Sequence, residues 1–179
     1  MINDEDAEFT ALVERQSRFV FRVVYAVLLN SHDAEDAVQE TFLKLYYNGG
    51  WRNAENERAF LARVAWRVAV DRRRSTPATT QPGDSNPLED APSLQPGPEQ
   101  ALLSSDQHAL VHGLIDALPE ELRVPLVLGA LEELNSREIA GILNMPEGTV
   151  RTRQQRARQV LRKKLEVLNA PVQEVRNAR

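Results

Sequence analysis

Apolar residues recur three and four positions apart along two long stretches of this chain, and the strict alternation of a half-buried strand is absent. Phe9, Leu12 and Val13, then Val20, Val23, Val24, Val27 and Leu28, mark a first helix. After the turn-like "NSHD", Ala34, Ala37, Val38, Phe42, Leu45 and Tyr46 fall on one stripe. That register puts Asp33, Asp36, Gln39 and Glu40 on the opposite face. "NGGWRNAENE" breaks the pattern with two glycines and several asparagines. The pattern resumes with Phe60, Leu61, Val64, Ala65 and Val68 pointing inward. The second stretch opens with a helix near Leu102–Leu118, ended by Pro119, and another from Glu120 to about Leu131. Within the latter, Pro125 either starts the helix proper or kinks it, and Gly129 lowers its propensity. The predicted class is all-α.

Composition changes abruptly at Ser75. From Ser75 to Pro98 lie six of the ten prolines, no Lys or Arg, and few apolar side chains. Such a segment buries too little surface to offset its ordering entropy, so a flexible Pro-rich linker is expected over 75–98. It divides the chain into two small helical domains, 1–74 and 99–169, with a tail at 170–179. A coil of that length spans about 25–30 Å.

"NSREIAGILNMPEGTVRTRQQRAR" has helix-turn-helix spacing. Asn135 is placed to N-cap the first helix, with Glu138 as capping-box partner. Ala140 is small where two helices cross, and Asn144 suits the left-handed turn between them. On the second helix Val150, Ala157, Val160, Leu161 and Leu165 form one stripe. Thr152, Gln155 and Gln159 centre on the opposite face, flanked by Arg151, Arg156 and Arg162, with Thr149 at the start. Gln, Thr and Arg offer hydrogen bonds to base edges as well as phosphate clamps, so this helix is expected to enter a major groove.

Charge sharpens the reading. Residues 148–165 carry seven basic side chains and no acid, whereas the whole chain has 22 basic and 26 acidic residues, a net charge of −4. Without that stretch, 15 basic residues face 26 acidic ones, or −11. A body so charged should hold DNA poorly alone.

Other chemistries find little support. The absence of Cys rules out disulfides and thiol chemistry. The acidic N-terminus is no signal peptide, and no apolar run nears the roughly 20 residues that span a bilayer, so a cytoplasmic protein is expected. His108 and His112 are four apart on a helix but lack a third ligand, and no catalytic constellation stands out. No enzyme activity, metal or cofactor is expected.

Two separated stretches together resemble one family. "DAEDAVQETFLKLY" followed by "FLARVAWRVAVDRRR" is similar to region 2 of bacterial RNA polymerase sigma factors. "IDALPEELRVPLVL" and the helix-turn-helix after it resemble region 4. Their order, the linker between them and the lack of other regions are those of the extracytoplasmic-function (ECF) subgroup.

The resemblance implies that Asp33, Asp36, Gln39 and Glu40 dock onto the β′ coiled coil of core RNA polymerase, while region 4 sits against the β flap. It implies that the loop around Trp51 and the helix bearing Arg63, Trp66, Arg67 and Arg72, Arg73 and Arg74 handle the −10 element as single strands. Basic side chains interleaved with aromatics suit that task. Trp66 is also placed to fill the core, and Arg72–Arg74 to end a helix against its dipole. Thr149, Arg151, Thr152, Gln155, Arg156, Gln159 and Arg162 would read the −35 element of promoter DNA. Arg67 stands where the family usually has Asn, and Pro125 is unusual for region 4. An anti-sigma factor is the further partner the resemblance implies. The competing reading is a free-standing helix-turn-helix regulator that dimerises on operator DNA, which leaves the acidic face unexplained.

Overall fold

The computed structural model describes residues 4–75 and 105–169; apart from Ser75, the expected linker lies outside the described residues, as does the tail. Every regular element among the described residues is helical. Helix α1 (Asp4–Leu28) packs with α2 (Ser31–Asn48) and α3 (Glu57–Ser75), and a short 3-10 turn, Gly50–Asn53, links the last two. The second half comprises α4 (Ser105–Asp116), α5 (Glu120–Leu126), a π-helical turn (Val127–Leu131), α6 (Ser136–Leu143) and α7 (Glu147–Asn169).

Local sequence sets the boundaries. Asn30 caps α2 by accepting a hydrogen bond from the Asp33 amide, and α2 stops at Gly49, whose φ of 63° closes the helix on the Leu45 carbonyl. A Cβ at Gly49 would meet nothing within 4 Å, so backbone conformation alone favours glycine there. The expected capping box forms at Asn135 and Glu138, and Asn144 ends α6 in the left-handed region at φ 52°, ψ 52°.

Pro125 does not start its helix. It sits inside α5, which yields one residue later to the π turn, where the Glu132 amide reaches back to the Val127 carbonyl. Gln154 of α7 donates Nε2 to the Pro125 carbonyl at 3.0 Å from a buried position. The same amide passes close over Gly129, where an added Cβ would stand 2.1 Å from Gln154 Nε2. Gly129→Ala should therefore break the Gln154 bond and lower stability by about 1–3 kcal/mol. Urea unfolding reads this directly, and an unchanged midpoint would contradict the close approach.

The two halves share one apolar core. In the first, Leu12, Val20, Val23 and Val24 of α1 meet Ala37 and Phe42 of α2 and Leu61 and Val68 of α3. In the second, Leu128, Ile139, Ile142, Val150 and Ala157 hold the helix-turn-helix against α5. Helix α1 then lies on α5 and the π turn, and α3 lies on α6. Tyr46, expected inside, is half exposed: its ring edges Phe9 at 5.1 Å between centroids, and its hydroxyl donates to Asp6 at 3.0 Å.

Candidate nucleic-acid interface and the charges that cover it

Helix α7 is fixed by its apolar stripe and by Gln154, so its polar face is held outward rather than left free to rotate. Val150 and Ala157 are fully buried, whereas Arg151, Thr152, Gln155, Arg156, Gln159 and Arg162 are exposed and Thr149 is half-buried. Gly148, Thr149, Thr152, Arg153 and Arg156 line a shallow groove on this face. At its start, Glu147 binds Arg151 at 2.5 Å, and the Ser136 hydroxyl donates to Glu147 at 2.7 Å. That hydroxyl, and then Arg151, hold the Glu147 carboxyl below the usual range despite its exposure. Thr152, exposed, donates its hydroxyl back to the Gly148 carbonyl at 2.9 Å.

The basic helix of the first half is placed differently. Arg67 and Arg74 are exposed, and Trp66 is partly buried against the core. Arg63 lies over α6, where a Cβ added to Gly141 would stand 3.3 Å from Arg63 Nη2. Arg73 pairs with Glu120 of the second half. Trp51 is only 8% exposed, its ring 6.0 Å from that of Phe9 with the Arg52 guanidinium above it. It offers no free face for a stacked base in this state.

The acidic residues of α2 do not stand opposite its packing face. Helix α2 contacts both α1 and α3, so its flank as well as its stripe meets protein. Asp36 binds Arg72 at 2.5 Å, with Glu40 at 3.8 Å and Asp33 at 4.0 Å from the same guanidinium. Gln39 remains exposed. Asp33, Asp36 and Glu40, expected to dock polymerase, thus gather around Arg72, expected to meet DNA, and Asp33, Glu40 and Arg72 line a groove with Asp71 and Ser75. These pairs are part-exposed, so each contributes about 0–1 kcal/mol.

Charges that the sequence reading passes over lie where the halves meet. Glu132 is 1% exposed and accepts from Arg22 of α1 and Arg58 of α3, the latter at 2.8 Å. Arg123, also buried, donates to the Ala26 carbonyl at the end of α1 and to the Asp116 and Leu118 carbonyls. Tyr25 donates to Asp116 at 3.2 Å; burial, followed by the Asp116 charge, pushes the phenol up to about 12. Burial likewise raises the Asp116 carboxyl against the pull of Tyr25 and Arg123. Arg22 carried a readable signal: it is the one charge among the apolar residues Phe19–Leu29, and a charge there requires a partner.

No group of three or more His, Asp or Glu among the described residues is placed to hold a metal ion. His108 is half-buried and His112 exposed.

Comparison with known proteins places these elements. Residues 12–78 match sigma-70 region 2, and residues 108–161 match sigma-70 region 4. The chain is 32% identical over 170 residues to the ECF RNA polymerase sigma factor SigW of Bacillus subtilis, covering 90% of each chain. It is 31% identical over 168 residues to the RNA polymerase sigma-H factor of Pseudomonas aeruginosa, covering 89% of this chain and 87% of that one. The match to SigE of Mycolicibacterium smegmatis is 32% over 151 residues and spans 59% of that longer protein. The fold resembles the sigma factor RpoE crystallised with the anti-sigma factor NepR from Bartonella quintana. There the TM-score is 0.64 at 19% identity, over 89% of this chain and 98% of that one. It also resembles CnrH in complex with the cytosolic domain of CnrY, with a TM-score of 0.60 at 21% identity, covering 89% and 88%. Region 2, region 4 and full-length relatives of both agree, and the chain belongs to the extracytoplasmic-function subgroup of the sigma-70 family of RNA polymerase sigma factors.

Proposed function

We propose that this chain is a non-catalytic, cytoplasmic subunit that binds core RNA polymerase and directs it to promoters, with α7 reading the −35 element and α3 the −10 element. The observation that carries the reading is the face of α7. Seven cations and no acid lie along residues 148–165, Arg, Thr and Gln point outward, and the opposite side is locked by buried Val150 and Ala157. That is the chemistry of base-edge and phosphate contact on a helix whose orientation is fixed. The roles fall to Thr149, Arg151, Thr152, Gln155, Arg156, Gln159 and Arg162 at −35, and to Arg63, Trp66, Arg67 and Arg72–Arg74 at −10. Trp51, buried here, is given no DNA contact.

Asp33, Asp36, Gln39 and Glu40 form the polymerase-docking face. On docking, a basic surface of the enzyme competes with Arg72 for these carboxylates and so changes what that guanidinium meets. One exchange would then couple the two functions. An anti-sigma factor is the second proposed partner, supported by the similar sigma factor that was crystallised with one. No helix among the described residues is long and apolar enough to cross a membrane. The operator-binding alternative has nothing to account for the region 2 match.

The test is transcription of genomic fragments by core polymerase with and without the chain, followed by sequencing of transcript 5′ ends. The expected result is a set of start sites that depend on the chain and share upstream elements at fixed spacing. Starts identical with and without it would refute the assignment.

A further inference from the structure

We infer that Gln154 is a positioning residue for promoter reading: its buried amide fixes the roll of α7 about its own axis, and so sets which base edges the outward side chains reach. The inference rests on the −35 role proposed for α7. Gln154 lies in the seam of α7 that packs on its own domain, four residues after Val150 and three before Ala157, both fully buried. An apolar side chain is the ordinary occupant of such a seam. A polar one specifies a single register at a cost in stability, as it does in coiled coils, because its bond has a direction and apolar contact has none.

The surroundings of the amide are shaped to hold it. Gln154 is 8% exposed, and its Nε2 donates to the Pro125 carbonyl at 3.0 Å, just before the π turn. Gly129, within that turn, leaves the space that the amide fills. A Cβ there would stand 2.1 Å from Gln154 Nε2, 3.3 Å from Gln154 Cδ and 3.4 Å from Cδ1 of Ile139 on α6. The amide therefore sits where the π turn, α6 and α7 meet. Other polar ties of α7 to its own half are exposed or part-exposed. Ser136 donates to Glu147 at 2.7 Å, Arg151 donates to Ser136 at 3.2 Å, and the Arg153 guanidinium stands 3.9 Å from Glu121. Two of these run through guanidinium groups that can turn to a phosphate when DNA arrives. The Gln154 bond is kept from solvent and persists.

A helix surface lies about 5–6 Å from the axis, so a roll of about 10° carries every outward side chain about 1 Å sideways in the same sense. Hydrogen bonds to base edges weaken steeply with such misalignment. Loss of Gln154 should therefore blur several neighbouring base positions together, whereas loss of one contact residue relaxes chiefly its own position. The test uses the full chain with core polymerase on barcoded promoters randomised at −35, read by sequencing the transcripts. The parent should enrich one short sequence. Gln154→Ala and Gln154→Met should each lower the preference for that sequence over its single-base mismatches by about tenfold or more, at two or more adjacent positions. Both are assayed at a temperature where helical ellipticity shows them folded. Gly129→Ala, which evicts the amide, should do the same, and adding it to Gln154→Ala should change the preference no further. Undiminished preference in both Gln154 variants, a loss confined to one base position, or losses that add in the double variant would overturn the inference.

A second readout needs no DNA and separates the inference from the promoter role. The chain has no Cys, so Arg137→Cys on α6 and Arg158→Cys on α7, both exposed, can carry a pair of spin labels. The parent should give a narrow distribution of label distances. Gln154→Ala should displace or broaden it by about 1 Å or more, the travel that a roll of this size produces. Coincident distributions would overturn the role of Gln154. A distribution that responds as expected, in a chain whose parent form enriches no −35 sequence, upholds Gln154 as the residue that fixes α7 and tells against the promoter reading.

Discussion

Arg123→Met should lower the unfolding free energy by about 3–5 kcal/mol, the range for removing one partner from a buried charged network. The guanidinium donates Nε to the Ala26 carbonyl at 2.7 Å and Nη1 to the Leu118 and Asp116 carbonyls at 2.6 and 3.0 Å. Ala26 lies in the last turn of α1, where helix carbonyls lack partners of their own and a cation also meets the negative end of the dipole. Methionine fills most of the volume, so the loss comes mainly from carbonyls left buried without donors, each worth about 1–3 kcal/mol. Asp116 and Tyr25 would suffer too, since the Arg123 charge offsets the burial of that carboxylate. Urea titration followed by helical ellipticity measures the change. Arg123→Lys, with one compact head for three carbonyls, should recover only part of it. A loss below about 1 kcal/mol would mean that Arg123 fills space rather than joining the two halves.

The second large effect separates the two proposed interfaces. Arg156→Ala removes an exposed donor from the centre of the α7 face. It should weaken use of cognate promoters by about 5- to 150-fold, from about 1–3 kcal/mol per bidentate base contact, with core affinity kept. Asp36→Arg places a cation beside Arg72, which Asp36 now binds at 2.5 Å, and turns an acidic face toward repulsion from a basic partner. Affinity for core should fall by about tenfold or more, because like charges juxtaposed at an interface cost several kcal/mol. Arg72→Ala serves as the control, since it frees the same carboxylates without reversing their charge and should leave core affinity intact. Equal core affinity for Asp36→Arg and the parent would refute the docking role.

Much of this was legible in the sequence because it is local. Helix spacing, the Asn135–Glu138 box and the left-handed turn at Asn144 depend on residues within one turn of each other, and side-chain chemistry there leaves little choice. The outward face of α7 followed from its apolar stripe for the same reason. What escaped is tertiary. A wheel drawn from the α2 stripe knows only one packing direction, whereas α2 meets two helices, so Asp33, Asp36 and Glu40 turn toward Arg72. Arg22, Arg58, Arg123 and Glu132 are separated by up to 110 residues along the chain, and nothing in a local pattern pairs them. Gln154 is buried against the carbonyl of Pro125, a partner 29 residues away that no local pattern marks.

The charge of the chain gives these separate features a common sense. A net −11 outside the basic helix repels DNA, and Arg58 and Arg73 of α3 already meet carboxylates of the second half. On the proposed reading, recognition belongs to the complex with polymerase rather than to the chain, the enzyme supplying both the non-specific affinity and the surface that draws the acids away. The measurement that tests this most directly is titration of one labelled cognate promoter fragment with the chain, with core polymerase, and with both, at several salt concentrations. The account predicts weak, steeply salt-dependent binding by the chain and sequence-selective binding at least about 100-fold tighter by the mixture, within the span that separates specific from non-specific complexes. Tight, selective binding by the chain alone, unaltered when core is added, would contradict it.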